Sequence, residues 1–325
     1  MDLKEQYKDK SVLITGGAGA IGSNLMHQLR HICKDVVVVD DLSSGHQYNV
    51  GNWGNVIFRQ GTICNEKFLE SIFKTYKFDI VFHLASNFAN QSSVDNPKKD
   101  LTTNGMGMLD VLLNAEKNGV KRFVYTSSSC VYGNQAGRLS EDMPNGKLDT
   151  PYAITKLLGE HYCKFFYTQY KLPVVILRYF NVYGEGEMPG EYRNVIPNFI
   201  NTALHERPLT ITGTGEETRS FCYVGDIVEG TLVAGVKQEA VGETINLGNP
   251  KETKIIELAY KINEITHNAQ GIEYIPRRKW DSIQSRKPDI SKAKEILGFK
   301  PRTPLSKGLA NTTRWVRGKM ESGLC

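Results

Sequence analysis

Three short stretches of the chain combine residue types and spacings suited to chemistry. The first is Gly16-Gly17-Ala18-Gly19-Ala20-Ile21-Gly22, which follows the apolar run Ser11–Thr15 and opens a helix-like segment. In that setting Gly16 permits a tight turn, Gly19 lets the backbone approach a pyrophosphate, and Gly22 allows close helix–sheet packing. The helix start adds unpaired amides and the positive end of a dipole. Asp40 stands about 20 residues further on, at the end of a second apolar run, where a carboxylate can accept bonds from a ribose diol. Asp41 follows it with no arginine nearby, which disfavours a 2′-phosphate. The cofactor these residues point to is NAD rather than NADP.

The second stretch is Tyr152-Ala153-Ile154-Thr155-Lys156. On a helix, positions four apart share a face, so a phenol and an ammonium converge on one site. A neighbouring cation favours the phenolate and is expected to depress the tyrosine pKa, making a base for near-neutral pH. A Tyr and a Lys four apart are common on structural helices, so the pair needs support. It comes from the third stretch, Ser127-Ser128-Ser129-Cys130, some two dozen residues upstream at the end of a fifth apolar run. In an open α/β sheet that end faces the ligand crevice. A hydroxyl there can bond the same substrate oxygen as the tyrosine.

These stretches need a scaffold, and the hydrophobic pattern supplies one. Short β-branched runs at 11–15, 36–40, 56–59, 80–84 and 122–127 alternate with helix-like segments at 23–32, 66–76 and 101–118. A helix at Pro151–Tyr170 and a sixth strand at 173–179 follow. Continuous apolar runs of this length suit strands buried on both faces, and the repeated strand–helix unit predicts a doubly wound parallel α/β sheet. Past residue 181 the rhythm breaks into a segment rich in Gly, Pro, Glu and Thr, with one helix at 195–205. Asp226 is expected to cap a later helix, and 243–247 to form another strand.

Composition narrows the class. The 325 residues include 40 Lys+Arg and 35 Asp+Glu, for a net charge of +5, with 40% hydrophobic residues. That excludes disordered, collagen-like and coiled-coil chains. No apolar stretch approaches the roughly 20 residues a membrane helix needs, and MDLKEQYKDK lacks the apolar core of a secretion signal. The expectation is a cytoplasmic enzyme with no membrane partner. The cysteines, at 33, 64, 130, 163, 222 and 325, show no zinc or redox spacing, so no metal site is expected. Residues 271–325 hold 13 Lys+Arg against 5 Asp+Glu, a surplus of +8, while the rest carries −3. This is too modest to argue for nucleic acid.

Together with FHLAS, TTNG, LRYFNVYG, GTGEETRSFCYVGDIV, INLG and DISKAKEILGF, the three stretches resemble the extended short-chain dehydrogenase/reductase superfamily, in its sugar-nucleotide epimerase/dehydratase branch. The likeness runs nearly the whole length. It implies a Rossmann-like domain over residues 1–181, with a return segment at about 221–250. A smaller C-terminal substrate-binding lobe would comprise 182–220 and 251–325. It also implies bound NAD and a homodimer formed through helices carrying Leu109, Leu112, Leu113, Leu157, Leu158 and Phe165.

Residue by residue, the resemblance makes Tyr152 the catalytic acid/base, Lys156 its partner and ribose anchor, and Ser128 the substrate-binding hydroxyl. It places Gly16, Gly19, Ala20, Ile21 and Gly22 on the phosphates, and Asp40, Asp41, Leu42, Ser43, Ser44 and Gly45 on the adenosine ribose. Thr62, Ile63, Leu84, Ala85, Ser86, Asn104 and Phe180 would complete the cofactor site. Ser129, Cys130, Asn181, Asn194 and Val195 would face the nucleotide sugar, Thr210 and Thr212 the base. Arg219, Arg278 and Asp281 would clamp the diphosphate and its ribose; guanidinium forks bind phosphate oxygens in pairs.

Departures from the family pattern narrow the reaction. Dehydratases of this branch carry Asp-Glu where this chain has Ser129-Cys130, and nucleotide-glucuronate decarboxylases keep the Glu. Simple 4-epimerases need neither, and that minimal chemistry is the expected one, on a UDP-hexose, its N-acetyl form or its uronate. The alternative is a 3,5-epimerase, dehydratase or reductase. GDP-mannose 3,5-epimerases have a cysteine at the Cys130 position, paired with a lysine; no lysine occurs in 182–194, so Cys130 is expected to be buried and inert. Thr62 replaces an Asp that usually faces adenine, and Phe88 replaces a residue often polar or basic.

Overall fold

The computed structural model describes residues 2–88, 90–276 and 284–324. Seven parallel strands form its central sheet: β1 (Ser11–Thr15), β2 (Asp35–Asp40), β3 (Val56–Gln60), β4 (Ile80–His83), β5 (Arg122–Ser128), β6 (Val174–Tyr179) and β7 (Thr244–Leu247). Their order across the sheet is β7-β6-β5-β4-β1-β2-β3, so the winding direction reverses between β1 and β4. Crevices at such reversals, at the carboxyl ends of the strands, are where doubly wound sheets bind ligands.

Alternation along β1 and β2 explains why these runs are apolar throughout. Val12, Ile14, Val36 and Val38 point into one core, with helices Ala20–Leu29 and Val224–Val236. Leu13, Val37 and Val39 point into the opposite core, with helices Glu66–Thr75, Met108–Lys117 and Pro151–Tyr170. Each face of the sheet buries every second side chain, so no polar alternation survives. A third core is built by helices Val195–Leu204, Ile255–Thr266 and Leu305–Glu321 around Ile196, Ile200, Leu258, Ile262 and Leu309.

Several segments depart from the sequence reading. The polar N-terminus forms a helix, Leu3–Tyr7, whose Tyr7 is fully buried and donates to the Leu232 carbonyl at 2.7 Å. The expected helix at 101–118 is π-helical over Leu101–Gly107 and α-helical only from Met108. Asp226 does not cap its helix. It lies inside the first turn, and its carboxylate accepts bonds from the backbone N–H groups of Arg302 and Thr303 at 3.2 and 3.0 Å. It fastens the loop at 302–303 to this helix.

Among the described residues no helix is long and apolar enough to cross a membrane.

Candidate active site

The carboxyl ends of the strands open into a cleft of about 880 Å³. The glycine turn forms its floor. Gly16 adopts φ +73°, and a Cβ on it would lie 2.6 Å from the Ala85 amide nitrogen; a Cβ on Gly22 would lie 2.2 Å from the Gly16 carbonyl oxygen. No larger residue fits either position. Helix Ala20–Leu29 starts after Gly19 without a side-chain cap, and its first internal bond is from Ser23 N–H to Gly19. The amides of Ala20, Ile21 and Gly22, residues that line the cleft, therefore stand outside the helix ladder, a cradle for phosphate oxygens.

At the far side, Asp40 is buried at the end of β2 and accepts bonds from the Ala18 and Leu42 N–H groups, both at 2.9 Å. Burial raises its carboxyl above the usual range, and those two amides oppose the shift. The carboxylate is thus held rigidly, with lone pairs left for a ribose diol. Asp41, Leu42, Ser43, Ser44 and Gly45 continue the wall, and Thr62, Ile63, Leu84, Ala85 and Ser86 also line it. The residues present fit a dinucleotide: small residues where backbones converge, free helix amides in the middle, and a fixed carboxylate at one end.

At the other end lie Tyr152, Lys156, Ser128, Ser129 and Cys130. Thr150 caps helix Pro151–Tyr170 by accepting from Ala153 N–H at 3.3 Å, with Pro151 in the first turn. The Tyr152 N–H donates to the Ser93 hydroxyl at 3.1 Å, and its ring meets Phe88 edge-on, with centroids 6.1 Å apart. Lys156 Nζ lies 5.7 Å from the Tyr152 ring centroid and donates to the Thr126 carbonyl at 3.0 Å. Ser128, at the end of β5, accepts the Cys130 N–H at 3.2 Å, which bends the following turn into the cleft.

The depressed tyrosine pKa expected from the sequence is not what the fold produces. Burial pushes the Tyr152 phenol well above its usual value, reinforced by Cys130, and hydrogen bonding to Ser128 and Ser86 only partly offsets it. The dominant influence on Lys156 is also burial, which lowers its ammonium to about 8, against the pull of Asp100. The protein alone therefore keeps the phenol protonated, and what opposes the shift is the hydrogen bonding to Ser128 and Ser86. Cys130 is only half-buried and accepts from Asn90 Nδ2 at 3.5 Å, so it forms part of the site wall rather than an inert core.

A second recess of about 230 Å³ shares Asn181 and Asn194 with the cleft and adds Val195, Thr212 and Arg219. Three expected site residues fall elsewhere. Asn104 is buried behind the wall, where it accepts from Asn87 N–H at 2.7 Å and donates to Asp100 at 2.8 Å. It holds the 84–88 loop rather than lining the cleft. Phe180 is fully buried against Tyr132. Thr210 lies on strand Leu209–Thr212, on the same strand face as Thr212, but its hydroxyl is engaged by Glu273 at 2.6 Å and it does not line the recess that Thr212 lines. Arg278 and Asp281 lie outside the described residues.

Two acids were not anticipated. Asp100, fully buried, accepts from Thr155 at 2.7 Å as well as from Asn104, so it ties helix Pro151–Tyr170 to the 84–88 loop. Its spacing of four from Asn104 was the available signal. Glu187 is buried in the cleft wall and bonded to Asn194; nothing in its sequence context marks it.

Residues 12–248 match the family described as NAD dependent epimerase/dehydratase. A UDP-N-acetyl-alpha-D-glucosaminuronate decarboxylase of Bacillus cytotoxicus is 36% identical over 319 residues, covering 95% of this chain and 98% of the relative. Among solved structures, the epimerase Mth375 of Methanothermobacter thermautotrophicus superposes with a TM-score of 0.95 at 46% identity, over 99% of this chain and 96% of that one. The UDP-glucose 4-epimerase of Thermotoga maritima, solved with UDP-glucose, gives 0.89 at 34% identity, over 95% and 99%. A fold, a cofactor cradle and a likeness along almost the whole length agree: the chain belongs to the NAD-dependent epimerase/dehydratase family of nucleotide-sugar enzymes, with NAD as its cofactor.

Proposed function

We propose that the protein is a nucleoside-diphosphate-sugar 4-epimerase, acting on a UDP-hexose, UDP-N-acetylhexosamine or UDP-uronate through a transient 4-keto sugar. The observation that carries this reading is the loop beside Tyr152. After Ser128 it presents Ser129 and Cys130 to the cleft, and no carboxylate. Among the described residues, the carboxylates in the cleft lining, Asp40, Asp41, Glu187 and Glu191, sit on the adenosine loop and the 184–194 segment instead. Eliminating water or decarboxylating a uronate calls for an extra acid or base next to the reacting carbons. Inverting carbon 4 does not.

In this reading Tyr152 takes the proton from the carbon-4 hydroxyl and later returns it, while Ser128 holds the same oxygen from the other side. When bound, NAD supplies the hydride acceptor and donor for carbon 4. Lys156 provides the cation that favours phenolate, from a position fixed by the Thr126 carbonyl. Removing it takes away the one cation placed beside the Tyr152 ring among the described residues. Lys156→Met is expected to move the acid limb of the kcat/KM profile to higher pH by at least about one unit, because loss of a nearby cation raises a phenol's pKa. A pH–rate titration checks this; an unmoved limb contradicts the role given to Lys156.

Asn181, Asn194, Val195, Thr212 and Arg219, all lining the smaller recess, are assigned to the nucleotide and its diphosphate. We assign residues 1–181 and 221–250 to the cofactor domain and the remainder to the substrate lobe. A homodimer is part of the same reading. Leu101, Met106, Leu113, Ile154 and Phe165 are exposed apolar side chains on the 101–117 and 151–170 helices, a patch of the sort that marks an interface. Leu112, by contrast, is fully buried in its own core and takes no part. The unpaired thiols of the described cysteines suit a cytoplasmic enzyme.

Incubation with UDP, GDP, CDP and dTDP sugars, with products identified by NMR, tests the proposal. Carbon-4 epimers of a UDP-sugar are the expected products. Turnover confined to sugars of another base refutes the UDP assignment.

A further inference from the structure

Glu187 is a buried acid in the cleft wall for which the reaction above has no use. Its position is built, not incidental. The Glu185 carbonyl accepts from Asn24 Nδ2 at 2.8 Å, and the Gly186 carbonyl from Asn49 Nδ2 at 3.3 Å. Gly186, at φ +92°, is packed so closely on the phosphate-binding helix that a Cβ would sit 3.0 Å from the Ala20 Cα. At the other end of the segment, Arg193 donates to the Ser44 carbonyl at 2.6 Å. Glu187 is therefore held between two anchors on the cofactor side.

From there its Oε1 accepts from Asn194 Nδ2 at 2.9 Å and from the Asn194 N–H at 3.4 Å. Asn194 is the N-cap of helix Val195–Leu204, and asparagine there ordinarily turns its side chain onto the helix's own first amides. Here it makes no such bond. With its NH₂ group committed to Glu187, Asn194 leaves those amides uncapped, and Asn194, Val195 and Ile196 all belong to the wall of the smaller recess.

We infer that Glu187 is a positioning residue for nucleotide-sugar binding: it holds Asn194 by the amide nitrogen, keeps it from capping its own helix, and so presents Asn194 and the leading helix amides to the diphosphate sugar. This rests on the reading that a nucleoside-diphosphate sugar occupies the recess. Burial raises the Glu187 carboxyl to about 7, with Arg193 opposing the shift. Protonated or ionised, one oxygen remains to accept from Asn194, so the role depends on the acceptor and not on the charge.

Calorimetric titration of UDP into the NAD-loaded protein separates the possibilities. Glu187→Ala is expected to weaken UDP binding and raise the sugar-nucleotide KM about tenfold, with kcat within about twofold of the parent. Glu187→Gln keeps the acceptor and is expected to bind UDP like the parent. In an Asn194→Ala background, Glu187→Ala is expected to add no further loss, since its partner is gone. Should the alanine variant not fold, Glu187→Met, which fills the volume without an acceptor, takes its place in each comparison.

Unchanged binding in Glu187→Ala, a Gln variant as weak as the Ala variant, or additive losses in the double variant would each overturn the proposal. A fall in kcat at constant KM would also overturn it, by moving Glu187 into the chemical step. Failure of the parent protein to bind UDP defeats the nucleotide reading itself, a result distinct from UDP binding that ignores Glu187.

Discussion

Tyr152→Phe is expected to lower kcat by about three orders of magnitude, the scale of a lost general acid/base, while the protein stays folded and keeps its NAD. The substitution removes one oxygen. The ring keeps its edge-on contact with Phe88, and the backbone keeps its bond to the Ser93 hydroxyl. The groups assigned to the phosphates and adenosine ribose, at the glycine turn and Asp40, are untouched. A melting curve close to the parent's, a full complement of NAD on purification and near-absent turnover constitute the expected result. Turnover like the parent's would remove Tyr152 from the mechanism.

The second large effect concerns stability. Glu160 lies on the same helix as Tyr152 and is almost wholly buried. Its carboxylate receives a bidentate pair from Arg178 on β6, at 2.9 and 2.8 Å, and the Ser127 hydroxyl on β5 at 2.6 Å. Arg178 is equally buried and stacks its guanidinium 4.7 Å from the Tyr132 ring centroid. One carboxylate thus locks helix Pro151–Tyr170 to two strands. Glu160→Ala strands a guanidinium in the core, and breaking a buried pair from one side costs about 3–5 kcal/mol. Denaturant unfolding should show a loss on that scale. Replacing both partners by apolar residues is expected to cost less than either single change, because no charge is left unpaired. A Glu160→Ala variant within about 1 kcal/mol of the parent, the scale of an exposed pair, would show that the pair does not hold the helix.

The sheet was legible because its strands are buried on both faces, so the centres of β1 and β2 read as unbroken apolar runs without any knowledge of their neighbours. The glycine turn was legible for a similar reason. Gly16 and Gly22 stand where backbone meets backbone, and only glycine satisfies that. Tyr152, Lys156 and Ser128 line one cleft because helical spacing and strand ends determine direction as well as position.

What escaped the sequence depends on which polar group turns toward which. Asn104 reads as a cofactor contact, but its partners are Asp100, Ser86 and Asn87, brought together by a π-helical stretch that apolar periodicity does not reveal. Asp226 has the composition of a cap, yet serves Arg302 and Thr303, 76 and 77 residues away in sequence. The spacing of Tyr152 and Lys156 predicts a phenol whose pKa is set by a cation one turn away. In the folded protein, desolvation acts on both members of the pair and dominates each. A pairwise motif cannot report the dielectric into which it folds.

In the proposed reaction carbon 4 is inverted with no other bond of the sugar changed. The direct measurement is mass and NMR analysis of a UDP-sugar after turnover in heavy water by the NAD-loaded enzyme, without added NADH. A carbon-4 epimer of unchanged mass, with no deuterium on the ring carbons, is the expected product. Deuterium at carbon 3 or 5, loss of water, or release of carbon dioxide from a uronate would contradict it.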